Sequence, residues 1–197
     1  IFLYSSATNY TGALTLNAGE KLIGQPTTGT TFDSIFGVSP PTGTIARPTL
    51  GSGTATMSGT VTLANSTTLR GLALSTGAST GLTDPASALT SVDVDQTSVA
   101  TTTGTGLALS DIGGTVKLAA LTSNGGTGAN LTGSNSGATF DLTGVAISSG
   151  ANPGLAATGG GTIGVTGTTN TIASTTGTAL NVSNTTIGAS GLTFGSI

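Results

Sequence analysis

Apolar residues along this chain fall in short alternating runs broken by Gly, Asn, Ser and Asp. No apolar stripe with a 3.6-residue period survives for three turns, and β-branched Thr and Val are abundant. Alternation with a period of two, closed off by turn residues, predicts many short strands in place of helices.

The runs recur at a fixed step. The apolar residues that open the clearest of them are Leu69, Val92, Val116, Phe140, Ile163 and Ile187, spaced 23, 24, 24, 23 and 24 apart. The same step taken backwards reaches Ile45 and then Leu22. Within a coil, Phe140, Leu142, Val145 and Ile147 stand at offsets 0, 2, 5 and 7, and Ile187, Ala189, Leu192 and Phe194 repeat those offsets. So do Val92, Val94, Thr97 and Val99. Offsets 0 and 2 share one face of a strand, and the step of three marks a bend before the next strand. A further strand precedes the anchor in most coils: Leu107 and Leu109, Ala129 and Leu131, Leu155 and Ala157, Leu180 and Val182. Self-similarity at this period is the mark of a solenoid, in which each coil buries its apolar side against its neighbours. The predicted fold is all-β: a right-handed parallel β-helix with three sides and about eight coils of 23–24 residues. It spans 1–197 as a single domain, expected to be a segment of a longer chain.

Position +1 from each anchor should face outward. It holds Arg70, Asp93, Lys117 and Asp141 in four successive coils, with alternating sign. Stacked rungs lie about 4.8 Å apart, so opposite charges there support one another. Such a ladder is expected to be structural, its members neutralising each other.

Composition narrows the function. Only 6% of residues are charged and the net charge is −3, with Lys21, Arg47, Arg70 and Lys117 scattered. Nucleic-acid binding relies on clustered Lys and Arg, so no nucleic-acid partner is expected. Cys is absent, which removes disulfides and thiolate metal sites. His is absent too, removing the commonest general base and the Ser-His pair of hydrolases. No apolar run reaches the roughly 18 residues of a membrane-spanning helix, so no membrane insertion is expected.

Two chemical alternatives deserve weighing against the structural reading. Asp93, Asp95 and Asp141 with Lys117 form the one carboxylate group that could serve a polysaccharide-cleaving site. Asp95 is the carboxylate left outside the ladder, and a Ca²⁺ contact there would need six or more oxygens in all. Tyr4 and Tyr10 are the only tyrosines and Trp is absent, so sugar-stacking surfaces are scarce. Ice-binding solenoids display Thr-x-Thr ranks; Thr60 with Thr62 and Thr54 with Thr56 make such pairs, without recurrence at the coil period. No catalytic, cofactor-binding or metal-ligating residue is therefore assigned, no cofactor is expected, and the chain is read as no enzyme.

The stretch Tyr10–Gln25, with Leu14, Leu16, Gly19, Leu22 and Gly24, resembles an opening motif of pectin-lyase-type right-handed β-helices. These occur in very large, repeat-rich bacterial surface or secreted proteins. Arg47–Leu50 and Ser66–Leu72 are similar to the pieces that follow it there. The resemblance implies the β-helical fold and an extracellular or cell-surface location in bacteria. It assigns no catalytic residue. The expected role is a structural or adhesive stalk or filament segment, with polysaccharide binding or cleavage as the alternative and ice binding a lesser one. The expected partners are further coils or copies of itself end to end, and surface glycans.

Overall fold

The computed structural model describes every residue of the chain except Ala86. The chain winds into a parallel β-solenoid of eight coils, and the one helix among the described residues is the short Phe32–Phe36. Three columns of strands run along the stack, and every pairing between named strands is parallel. In the first column Leu22 lies on Leu69, then come Val94, Val116, Phe140, Ile163 and Ile187, each paired with the one before. Phe2–Leu3 pairs with Ile23–Gly24 and opens that column. The second column stacks Leu14, Val61, Leu82, Leu107, Ala129, Leu155 and Leu180. Leu74, Val99, Leu121 and Val145 carry the third, and Ile147 continues onto Ile172.

The expected second-column strands form as read: Leu107–Leu109, Ala129–Leu131, Leu155–Ala157 and Leu180–Val182. Inward residues of all three columns merge into one core, with Leu22, Leu69, Val94, Leu107, Val116, Leu118, Leu121, Phe140 and Ile163 at 0% exposure. Each fully buried Leu, Ile or Phe contributes about 1.5–3 kcal/mol of transfer free energy, and the contribution comes from contact with adjacent coils.

Two expected rungs are displaced, and in the last coil Leu192, not Ala189, lies on Val165. Val92 does not stack on Leu69; Val94 does, while Val92 pairs with Gly114. The strand Leu89–Thr101 carries an irregularity at Asp95-Gln96, where Gln96 takes the left-handed φ of 49°. A second irregularity lies before the rung, between Leu89 and Val92, and the rung stands two residues on from the expected one. Ile45 opens no coil: it is 88% exposed, and Leu69 stacks directly on Leu22. Between those rungs the chain leaves the stack after Gln25 and returns at Gly51, whose N–H donates to the Gln25 carbonyl at 2.8 Å. The eighth coil is supplied instead by residues 1–3. The eight rungs are present, but two of them stand elsewhere than the step of 23–24 places them.

The turn from the third column to the second repeats most strictly. In three coils a hydroxyl opens it and caps a carbonyl three residues on, Thr76 to Ser79 at 2.9 Å, Ser123 to Gly126 at 2.9 Å and Ser174 to Gly177 at 2.7 Å, while the Thr101 and Ser149 hydroxyls of the other two are buried without a partner. Gly81, Gly106, Gly128 and Gly154 close it just before the second-column residue. A Cβ on Gly106 would lie 2.4 Å from the Gly128 carbonyl oxygen and 2.7 Å from Leu121 Cδ1. The next coil fills that space, so a glycine is required there.

Other corners are braced by buried asparagines. The Asn135 amide accepts from Ile112 N at 3.0 Å and donates to the carbonyls of Leu109 and Thr132 at 3.0 and 2.9 Å. Asn170 accepts from Val145 N and donates to the carbonyls of Thr166, Gly167 and Thr193, all at 2.8–2.9 Å. Each side chain ties neighbouring coils together where the backbone turns away from the ladder.

Candidate functional site

Charged chemistry concentrates on the outer face of the first column. Strand alternation turns the residue after each anchor outward, and the observed register makes that row Ile23, Arg70, Asp95, Lys117, Asp141 and Gly164, with Asp95 and Gln96 together facing Lys117 across the irregularity. The signs still alternate through four coils, but Asp95 and not Asp93 holds the second rung. Asp93 pairs with Thr68 and Thr115, one rank aside, and is exposed. The residue expected to be left over is therefore the ladder member, because the two-residue shift exchanges them.

Within the row, Arg70 Nη2 lies 3.2 Å from Asp95 Oδ2, both side chains about a quarter exposed. Lys117 and Asp141 are directly paired in register and both exposed, without an ion pair within 4.0 Å between them. A surface pair such as Arg70–Asp95 is worth about 0–1 kcal/mol and weakens with salt. Arg70 Nε is buried without a partner. Among the described residues, no three of the carboxylates converge as a metal site would need. Asp95, the candidate Ca²⁺ contact, spends one oxygen on Arg70 instead.

Lys117, Asp141, Thr143, Thr166 and Ser190 line a shallow depression, and Asp95, Gln96, Lys117 and Thr143 line a second one beside it. The Thr143 hydroxyl is already committed to the Leu118 carbonyl at 2.6 Å. The remaining groups can hydrogen-bond a polar ligand lying along the stack. They do not form a nucleophile–base pair, since nothing basic stands beside a hydroxyl at hydrogen-bond distance.

Three other carboxylates are committed locally. Asp84 accepts from Ser110 N, Ser110 Oγ and Asp111 N at 2.9–3.1 Å. Glu20 accepts from Asn17 N at 2.8 Å, and that bond, with a second from the Asn17 side chain, holds its carboxyl below the ordinary value. Asp33 pairs with Arg47 at 2.8 Å in the excursion between Gln25 and Gly51.

The second and third columns carry no charged residue at all. Thr62 does belong to an outward rank, with Thr15 and Thr83 on either side, which the coil step through Ile45 had hidden. That rank continues as Ala108, Asn130, Ala156 and Asn181, so it covers three coils and stops. No helix of the described residues is long and apolar enough to cross a membrane. No family model matches this chain, and neither the characterised proteins nor the solved structures give a match.

Proposed function

We propose that this chain is a non-catalytic β-solenoid segment of a pectin-lyase-like kind, serving as a structural or adhesive stalk in a bacterial surface or secreted protein. The observation that carries the reading is the single core running unbroken through eight coils, with the polar side chains consumed in bracing it. Asn135, Asn170, Asp84 and the turn hydroxyls of Thr76, Ser123 and Ser174 all bond to the backbone. A stack built this way is stiff along its axis and cheap to lengthen, because every coil depends only on its neighbours.

Its last coil presents core-type residues outward: Ile187 is 53% exposed, and Leu180, Val182, Leu192 and Phe194 are only partly covered. Further coils or another copy are the covering this reading assigns to that end, since an open apolar end with free strand edges invites pairing. Sedimentation and negative-stain microscopy across a concentration series test it. The expected result is end-to-end association into rods that grow with concentration. A sharp monomer of constant size overturns end-to-end growth.

Glycan binding is the second reading, favoured by the two depressions that share Lys117 and Thr143. A panel of acidic and neutral polysaccharides tests it, with retention lost in Asp141→Ala as the supporting result and indifference to that change as the refuting one.

A further inference from the structure

We infer that the excursion between Gln25 and Gly51 is a hinged strap, latched shut by the Gln96 side chain and able to open as a unit while the coils stay folded. Its two ends meet: the Gly51 N–H donates to the Gln25 carbonyl, and Gln25 Nε2 donates to the Thr49 carbonyl at 3.0 Å. Such a closed base leaves the intervening chain free to swing without disturbing the ladder.

The strap lies over the outward side of the first coils. Phe32 packs edge-on against Phe2 at 5.3 Å, and Lys21 Nζ donates to the Ile35 carbonyl. Ile23, in the outward row, is fully buried there, whereas Asp95, Lys117 and Asp141 further along the row reach solvent. Thr27 anchors the base of the strap, fully buried and bonded to the Gly24 and Arg70 carbonyls, but beyond Thr28 the strap contributes little burial of its own. None of Phe32–Phe36 is buried, and Val38 and Ile45 are 42% and 88% exposed. Segments with few buried apolar contacts open at low free energy, well below that of global unfolding.

The clasp is specific. Gln96 Oε1 accepts from Thr28 N at 2.8 Å, and its Nε2 donates to the Thr28 carbonyl at 3.2 Å, which Arg70 Nη2 also reaches at 3.3 Å. The amide thus pairs with Thr28 as a strand would. Gln96 sits in the left-handed region, a conformation costly for a side chain other than glycine, and the bulge there is what aims it at the strap. A strained residue that bonds in both directions to a lightly packed segment is what a latch requires.

Chymotryptic cleavage after Phe36 in the full chain, followed beside the unfolding of the coils, tests this. Cleavage should proceed far faster than global unfolding. It should accelerate about fivefold in Gln96→Ala, since three exposed hydrogen bonds to Thr28 are lost and cleavage tracks the open population. Gln96→Gly should accelerate cleavage equally without lowering the melting temperature, because glycine accepts the left-handed φ. Cleavage that occurs only at the rate of global unfolding, or an unchanged rate in both variants, overturns the inference.

Discussion

The first seventy residues and the coils that follow are built on the same three columns but treat their outer face in opposite ways. At the start of the stack the outward row is apolar, with Phe2 and Ile23, and a strap of the chain covers it. From Arg70 to Asp141 the same row is charged and uncovered, and the connections between coils shrink to short turns. The lesson is that the solenoid interior tolerates both arrangements because it is indifferent to what lies outside. Whether an outward rung is Ile or Asp is decided by its cover, while the rung beneath stays Leu or Val.

That contrast can be broken most sharply in the regular coils. Phe140→Ala removes the largest fully buried side chain from the middle of the stack, where no loop can collapse into the gap. A loss of about 3–5 kcal/mol is expected in denaturant unfolding. Asn135→Ala comes next. It leaves Ile112 N and two carbonyls without a partner in a buried corner, and a loss of order 3 kcal/mol is expected. Gly106→Ala should cost about 1–3 kcal/mol by pressing a methyl group into the next coil, whereas Gly43→Ala in the strap meets no atom within 4 Å and should cost only its backbone strain. Thermal melts of the two alanine variants side by side separate packing from conformation. The smallest effect sharpens the register: Asp95→Asn should lose at most about 1 kcal/mol, and lose it only at low salt, while Asp93→Asn should change stability by less than about 0.5 kcal/mol. Equal effects of the two would place the ladder back on Asp93.

Why the sequence reading placed the later rungs correctly and slipped at two others follows from strand physics. Val116, Phe140, Ile163 and Ile187 follow one another at 24, 23 and 24 residues, and any irregularity beside them falls after the rung, so spacing alone stacks them. Val92 and Val94 are two apart and both buried, so alternation cannot tell them apart; a slip of one would have turned the face over, but a slip of two does not. Irregularities on both sides of Val94, between Leu89 and Val92 and at the left-handed Gln96, decide between them, and neither carries a glycine or proline to signal it. Ile45 was an apolar residue at the right distance inside a strap whose own marks were plain but local: Thr31 caps the short helix by accepting from Ser34 N, and Gly37 ends it at φ 64°. The charge row was legible as an alternation of sign. Which aspartate belonged to it depended on the same two-residue ambiguity.

The meeting of Gln25 and Gly51 has a consequence for how such a chain can be altered. A backbone bond of 2.8 Å closes the neck of the excursion, so the coil above and the coil below see the same two residues whatever is strung between them. Lengthening a closed loop costs entropy only logarithmically, about 0.6 kcal/mol for each doubling. The neck is therefore a grafting port: a foreign peptide or a small folded module could replace residues 29–48 and be carried on the flank of the rod, while the rungs beneath keep their register.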